Sequence, residues 1–323
     1  MPQLSETDEL IVIDDCSNDQ TFEVTKSLLA NYPRVVSACF SNEQNKGPSY
    51  SRNKGLMMAR MDWVMFVDGD DTVSPNLFFE LKSIIRRNEK CDYIAAGLKT
   101  IATNKDSHYV RNRTRHVITD QVLKTNETLK KYVPEYHRVP YDRFDFTHCW
   151  GRLYNRKILV EHGINFDEDI NQAEDILFNF DYLAHSHYLY FSSYAYYHQH
   201  ISHNARLSAQ LGTNSEYLQT MTRTAFRIFN RTSKYCQFQN PRLKKQTMRQ
   251  FIAQLLSLGL YRTYFVYKRY YNLKRLQTIM MAPQRKYFNY LKYRRNNSIL
   301  FFLILYTDTL QIYLGLKKIF NSK

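Results

Sequence analysis

Three carboxylates fall within four positions at Asp68, Asp70 and Asp71, directly after the apolar run from Trp63 to Val67. Like charges this close repel and raise one another's pKa, so a metal ion, a basic neighbour or solvent must compensate them. A D-x-D after a parallel strand can hold Mg²⁺ or Mn²⁺ and leave metal positions open to a substrate diphosphate. The alternative is a solvated acidic turn, which is common wherever a D-x-D stands alone.

A second acid pair and an arginine suit other parts of such a substrate. Asp14 and Asp15 end the apolar stretch ELIVID, and Arg52 lies about one turn into a helix that is predicted from about Ser49. A helix N-terminus with an arginine suits a phosphate group. For the acid pair, the alternative is capping of the next helix, with Asp15 merely exposed. For Arg52, the alternative is an ordinary loop with a surface arginine.

A third pair of acids lies in the segment NQAEDILFNF, which places Glu174 and Asp175 in the first turn of a helix. The helix dipole favours the ionised carboxylate there, which suits a general base that must start deprotonated. Acids are also common at the start of ordinary helices. Trp150, near these motifs, is either a platform for stacking a sugar or a core residue.

The elements that must position these side chains alternate along the chain. Short apolar runs predict buried parallel strands, and segments with helical spacing separate them. The predicted strands are ELIVID at 9–14, VVSACF at 35–40, DWVMFVD at 62–68 and CDYIAAGL at 91–98. Helices are predicted after Cys16, from Ser49, from Ser74-Pro75 and from Arg156, and residues 100–140 receive no assigned element.

This order predicts an α/β fold, with a mainly parallel sheet and helices on both of its faces. In such sheets a ligand binds beyond the carboxyl ends of the strands. The first two acid clusters both lie at such ends, so we expect them to share one site.

Charge divides the 323-residue chain into two parts. It has 45 Lys and Arg against 30 Asp and Glu, but residues 241–323 hold 17 basic side chains and a single acid, Asp308. We therefore predict a domain at 1–210 and a basic, mostly helical region at 211–323 with an anionic partner. An anionic membrane surface is favoured, because basic, aromatic-rich helices suit it. A helical bundle packed on the domain and another polyanion are the alternatives; no nucleic acid is expected, since no binding motif is recognisable.

The remaining composition predicts a cytoplasmic protein. The first nine residues, MPQLSETDE, are too polar for a signal peptide, and the apolar run 299–306 is too short for a spanning helix. The five cysteines lack the spacing of a zinc site, so reduced thiols are expected.

Taken together and in order, five stretches resemble family-2 glycosyltransferases of the GT-A fold. They are ELIVIDDCSND, NKGPSYSRNKGL, WVMFVDGDD, CWGRLYNRKIL and GINFDEDINQAEDILFNFDYL, and they cover roughly residues 9–200. The resemblance implies an inverting transfer from a nucleotide-diphosphate sugar, with a UDP-sugar expected, to a hydroxyl of a glycan or lipid-linked acceptor. It further implies synthesis of a surface polysaccharide, glycolipid or teichoic-type polymer at the inner face of the cell membrane.

On the donor side, the resemblance implies that Asp14 and Asp15 lie near the base and ribose and that Arg52 lies near the nucleotide. Asp68 and Asp70 would form the D-x-D that holds Mn²⁺ or Mg²⁺, with Asp70 as the direct ligand. On the acceptor side, Asp175 would be the base, with Glu174 beside it and Trp150 at the border of the site.

Two departures from the family pattern leave alternatives open. Family members begin with a strand and a helix before the strand that is ELIVID here, and that strand would lie between the strands ending in Asp14 and Asp68. Either the start is placed too far downstream, or the chain is a truncated, catalytically inactive GT-A-like binding or scaffold protein. The family often has Tyr-Arg where this chain has His198, Gln199 and His200, so a diphosphate contact from this segment stays open.

Overall fold

The structure is a computed structural model. It describes residues 3–104, 107–113, 120–138, 146–170 and 173–202, together with 224, 227, 228, 230–232 and 235. The chain divides into two units, residues 1–207 with 230–235, and residues 208–229 with 236–323. The predicted basic region at 211–323, including its apolar run, lies almost entirely outside the described residues, so its helical character stays a prediction.

A small parallel sheet opens the chain, and its elements match the predicted ones. Strand β1 (Glu9–Asp14) pairs along its whole length with β2 (Val36–Ser41), so that Asp14 lies opposite Ser41. Helix α1 (Thr21–Ala30) connects the two strands, and α2 (Pro48–Met58) follows β2. Both strands therefore end at the same edge, which brings the end of β1 close to the start of α2.

A second, seven-stranded sheet contains the remaining strands. They are β3 (Trp63–Met65), β4 (Thr72–Val73), β5 (Tyr93–Asn104), β6 (Ser107–Arg113), β7 (Gln121–Lys124), β8 (Arg152–Asn155) and β9 (Tyr188–Ser202). Their order is β3-β8-β5-β9-β4, with β6 paired to β5 and β7 paired to β9.

The prediction of a mainly parallel sheet is wrong. Among the described strands of the larger sheet, only β5 and β9 pair in parallel, and the other pairs are antiparallel. Strand β8 lies between β3 and β5 and runs against both, with Tyr154 opposite Val64 on one side and Tyr93 on the other. Apolar runs in the sequence indicate where strands lie but not their direction, so they could not predict a mixed sheet.

The two sheets separate between β1 and β3. Among the described residues, β1 pairs only with β2, and β3 pairs only with β8. This is the position where the family resemblance predicts a further strand. As a result the side chains of β1 are only partly buried, apart from Asp14, so the prediction of a buried first strand is wrong for the other five residues.

The helices of the second half pack the core. Helix α3 (Leu77–Arg87) buries Leu77, Leu81 and Ile84 against the larger sheet, and it begins two residues after the predicted proline because residues 74–77 first form a turn. Helix α4 (Thr125–Arg138) and β6 and β7 occupy the stretch that received no predicted element. Helix α5 (Arg156–Glu161) begins at the predicted residue.

Helix α6 (Glu174–Leu183) is buried on nearly all sides. The sequence predicts one apolar face, but Phe178, Asn179 and Tyr182 are buried as well. Phe178 stacks on Phe166 with ring centroids 3.9 Å apart, and Tyr182 contacts Tyr154 edge to face. The helix that carries the candidate base is therefore fixed in the core. No helix in the described part of the chain has the length and apolarity to span a membrane.

Candidate active site

The acidic loop, residues 68–71, follows β3 and is fastened at both ends. Phe66, before the loop, bridges to Trp150, and inside it the amide of Asp71 donates to the carbonyl of Asp68 at 3.1 Å. Between these anchors Gly69 and Asp70 are exposed. The carboxylate of Asp70 is thus presented at the tip of a tight turn.

Arg52 joins the acidic loop to the start of α6. Its guanidinium donates to Asp68 Oδ1, Glu174 Oε1 and Asp175 Oδ1, each at 3.0 Å. The Arg52 side chain is 15% exposed, and those of Glu174 and Asp175 are 12% and 13% exposed. The structure therefore brings together four of the predicted site residues, although their sequence separations reach 123 positions.

The compensating charge beside Asp68 is a basic neighbour. One guanidinium faces three carboxylates, so the cluster has an excess of negative charge when all three are ionised. Because the pairs are largely buried, their attraction is screened less than that of a surface ion pair. The guanidinium also lies over the ring of Phe166, 5.4 Å from its centroid.

The environment of Asp175 raises its pKa to about 7. Burial is the main cause, and Glu174 and Asp68 add to it, whereas Arg52 opposes the shift. Burial thus acts against the ionised carboxylate that the helix dipole favours. Asp175 Oδ2 also accepts from the amide of Cys149 at 3.4 Å, which orients the carboxylate.

Asp14 organises the turn after β1. It is 7% exposed and accepts from the amide and hydroxyl of Ser17, at 3.1 and 2.5 Å, and from the hydroxyl of Ser41 at 2.9 Å. The Ser17 hydrogen bonds are the leading cause of its lowered pKa. Ser17 therefore binds Asp14, while the amide of Thr21 at the start of α1 donates to Asp19 Oδ1 at 2.9 Å.

Asp15 organises the turn before α2. It accepts from Asn42 Nδ2 at 2.8 Å and from the amides of Lys46 and Gly47 at 2.9 and 2.7 Å. Burial raises its pKa, but these hydrogen bonds outweigh burial and hold the pKa below its usual value. Gly47 has φ +86°, a conformation that a side chain would strain. Asp15 is therefore an anchor of this turn rather than merely exposed.

Trp150 is packed in the core in this structure. It is 4% exposed, and its indole is stacked between His148, at 4.3 Å, and Tyr197, at 4.7 Å between ring centroids. Both faces of the indole are covered. Of the two alternatives for this residue, the structure has the core residue, and the predicted contact with an acceptor stays a prediction.

Sequence reasoning missed the residues that hold this site in place. Asn179 donates to the carbonyls of Phe146 and His148, at 2.8 and 2.9 Å, and accepts from the Tyr154 hydroxyl at 2.6 Å. It thereby ties α6 to the segment that carries Trp150. The available signal was an asparagine inside the otherwise apolar stretch ILFNF, since buried amides need partners.

The donor set of the acidic loop suits a hard divalent cation. Among the described residues, no group of three or more His, Cys, Asp or Glu side chains is arranged to hold a metal ion. Mg²⁺, however, is commonly held by one or two carboxylates together with substrate phosphates and water. Asp70, exposed at the tip, and Asp68 can supply those two carboxylates, so the residues present fit the ion.

Comparison with known proteins agrees with this geometry. Residues 3–163 match the family model described as glycosyl transferase family 2. The uncharacterized glycosyltransferase YibD of Escherichia coli (strain K12) is 28% identical over 163 residues, which cover 49% of this chain and 43% of YibD. The uncharacterized glycosyltransferase EpsJ of Bacillus subtilis (strain 168) is 28% identical over 162 residues, 50% of this chain and 43% of EpsJ. The chain thus spans less than half the length of these curated relatives.

A solved structure shares the fold. Staphylococcus aureus TarS 1-349 in complex with UDP-GlcNAc superposes with a TM-score of 0.54 at 19% identity, covering 82% of this chain and 80% of TarS 1-349. The predicted α/β GT-A fold is thereby confirmed. With the family match over residues 3–163, the chain belongs to the family-2 glycosyltransferases.

Proposed function

We propose that this chain transfers a sugar from a nucleotide-diphosphate sugar to an acceptor hydroxyl, with inversion at the anomeric carbon. The observation that carries the proposal is the Arg52 cluster, in which the D-x-D carboxylate Asp68 and the candidate base Asp175 bind one guanidinium at 3.0 Å each. A displacement reaction needs a base on one side of the sugar and charge neutralisation on the other. This cluster has groups of both kinds at one site.

In the proposed reaction, Asp175 removes the proton of the acceptor hydroxyl as its oxygen forms a bond to the anomeric carbon. The bond from that carbon to the diphosphate oxygen breaks on the opposite face, and the nucleoside diphosphate leaves with the bonding electrons. Asp68 and Asp70 would hold Mg²⁺ or Mn²⁺, which supplies neutralisation of the diphosphate charge when bound. Glu174 keeps Arg52 in place beside the base.

On the donor side, Asp14 and Asp15 hold the two turns at the carboxyl edge of the small sheet, where the base and ribose are expected. A UDP-sugar is the proposed donor, because the TarS structure contains UDP-GlcNAc. The histidines at 198 and 200 lie next to the acidic loop, since Thr72 pairs with His198 and the hydroxyl of Thr72 is 2.8 Å from His200 Nε2.

The acceptor and location rest on relatives and on charge. A succinoglycan biosynthesis protein, ExoO of Rhizobium meliloti, is 32% identical over 117 residues, 36% of this chain and 30% of ExoO. We propose a glycan or lipid-linked acceptor in polysaccharide synthesis. The basic residues between 241 and 323 support a peripheral position at the cytoplasmic surface of an anionic membrane.

A second function is favoured by one observation. The two sheets separate between β1 and β3, so among the described residues no strand pairs with β1 on the side away from β2. This supports the alternative of a catalytically inactive GT-A-like protein that binds a nucleotide sugar or acts as a scaffold.

One experiment separates the two functions. The full chain is incubated with a panel of nucleotide sugars, with Mn²⁺ or with a chelator, and release of the nucleoside diphosphate is measured. We expect metal-dependent release with at least one UDP-sugar. Asp175→Asn should abolish release and retain binding of that sugar nucleotide by calorimetry. Binding without release by the unmodified chain would favour the scaffold, and unchanged release by Asp175→Asn would remove Asp175 from the role of base.

A further inference from the structure

One phenol hydroxyl closes the acidic loop. The amide of Asp68 donates to the Tyr197 hydroxyl at 3.1 Å, and that hydroxyl donates to Asp71 Oδ2 at 2.7 Å. The first and last residues of the loop are therefore linked through a single oxygen atom. The second oxygen of Asp71 accepts from the amide of His200 at 2.8 Å, so β9 holds both oxygens of this carboxylate.

The Tyr197 ring is held as firmly as its hydroxyl. The residue is fully buried, and its ring stacks on Trp150 with an interplanar angle of 18°. On its other side the chain comes very close at Gly151, where an added Cβ would meet Tyr197 Cβ at 3.1 Å. Gly151 also has φ +65°, so a side chain there would be strained as well as crowded.

The loop tip contrasts with these anchors. Gly69 and Asp70 are exposed, whereas both ends of the loop are tied to β9 through Tyr197 and His200. Anchored loop ends fix the separation of the two carboxylates, Asp68 and Asp70, while the exposed tip leaves room for an ion. This suits Mg²⁺, which demands near-ideal geometry. Asp71, with both oxygens occupied, belongs to the anchors rather than to the ligands.

We propose that Tyr197 is a positioning residue that sets the spacing and orientation of Asp68 and Asp70 toward the divalent cation. The inference deepens the proposed function and rests on it. Tyr197 contacts no substrate in this scheme; it acts through the acidic loop. Outer partners that orient ligands commonly change metal affinity 10- to 100-fold when they are removed.

The test is Tyr197→Phe in the full chain, with Tyr190→Phe as the matched control. Tyr190 lies on the same strand, and its hydroxyl also binds a carboxylate, that of Asp120 at 3.2 Å, away from the acidic loop. Mn²⁺ is titrated into each protein with and without UDP, and free Mn²⁺ is measured by electron paramagnetic resonance. We expect about tenfold weaker Mn²⁺ binding for Tyr197→Phe and unchanged binding for the control.

A second measurement needs no metal. Amide hydrogen exchange of residues 68–71 should become about tenfold faster in Tyr197→Phe, because the amide of Asp68 loses its acceptor. Asp71→Leu serves as a second variant if Tyr197→Phe folds poorly, because it removes both acceptor oxygens that fix the loop to β9. Exchange of residues 68–71 should then also become faster. In turnover assays, excess Mn²⁺ should restore kcat in Tyr197→Phe, whereas a general loss of folding would not be rescued.

The outcomes distinguish the role of Tyr197 from the proposed function. If the unmodified chain binds Mn²⁺ and Tyr197→Phe shows the same Mn²⁺ binding and the same loop exchange, the role of Tyr197 is overturned. The proposed function is then intact. No Mn²⁺ uptake by the unmodified chain, with or without UDP, would overturn both the metal site and the positioning role.

Discussion

At the scale of single residues, Arg52 lowers the proton affinity of Asp175, the proposed base. It lies 3.0 Å from Asp175 and opposes the rise in pKa that burial causes. The same guanidinium binds Asp68, so a ligand that draws Arg52 toward a diphosphate would weaken its hold on Asp175. The carboxylate would then become a stronger base, which is what abstraction of a hydroxyl proton requires.

The pH dependence of turnover follows from Asp175. With a pKa of about 7, its ionised fraction rises as pH rises through neutrality. We expect kcat/KM to increase about tenfold per pH unit below pH 7 and to level off above it, because kcat/KM reports the donor-free protein. The measurement is the rate of nucleotide release from pH 5 to 9 at a donor concentration well below KM, and a flat profile below pH 7 would contradict the assignment.

Replacing Arg52 should move this profile. Arg52→Gln removes the cation that lowers the pKa of Asp175, so the rising limb of kcat/KM should shift upward by about 1–3 pH units. Arg60→Gln is the matched control, because Arg60 is 70% exposed and pairs with Glu9 at 3.0 Å. If the rising limb of the profile does not shift in Arg52→Gln, the Arg52–Asp175 pair does not set the proton affinity of Asp175.

Asp175 should also make stability depend on pH. Its folded-state pKa of about 7 lies above the unfolded value of about 3.9, so the folded protein binds a proton more tightly. The resulting stabilisation is fully present below about pH 4 and is lost as pH rises to about 7. The free energy of unfolding of Asp175→Asn, relative to the unmodified chain, should thus increase by about 1.4 kcal/mol per pH unit across that window. Chemical unfolding at pH 4.5, 5.5 and 6.5 measures the slope, and a constant difference would refute it.

At the scale of elements, α6 has to be placed correctly before its first turn can act. Asn179 makes three hydrogen bonds to the segment 146–154 and is completely buried. Asn179→Leu removes them and leaves two carbonyls and a hydroxyl without this partner. We expect the free energy of unfolding to fall by about 3 kcal/mol, because each buried group that loses its partner costs about 1–3 kcal/mol.

The control for α6 is Asn165→Ala. The side-chain amide of Asn165 is exposed and donates to the carbonyl of Gly163 at 3.1 Å. Its replacement should change stability by less than about 0.5 kcal/mol. Denaturant unfolding of both variants gives the comparison, and equal losses would show that α6 is not held through Asn179.

How much the sequence could reveal also differs between elements. The positions of β1, β2 and α1 and the starts of α2 and α5 followed from apolar runs and helix-start residues, because these signals are local. The direction of β8 and the pairing of β5 with β9 were not predictable, because the partners are far apart in sequence. In the site, the acids and Arg52 were identified by type and spacing, whereas Tyr197 acts on a loop 129 positions away and no local pattern marks it.

At the scale of the whole described region, the small parallel sheet and the larger sheet differ in how much they bury. Helix α1 has no buried residue, and of β1 only Asp14 is buried, whereas seven of the ten residues of α6 and residues 93–97 of β5 are buried. Few buried contacts imply low free energies of local opening. We expect amides of β1 and β2 to exchange at least about a hundredfold faster than those of β5, and addition of UDP with Mn²⁺ to slow them. Equal protection of the two sheets would contradict this expectation.

The separation of the two sheets has a consequence for the energetics of donor recognition. If the nucleotide-binding edge is formed in only part of the population, the apparent dissociation constant equals the intrinsic one divided by that populated fraction. The free energy of ordering the edge would then come from donor binding, and binding would show a large negative heat-capacity change. Ordering of this edge would thus appear in the heat capacity of donor binding, where a preformed edge would contribute little.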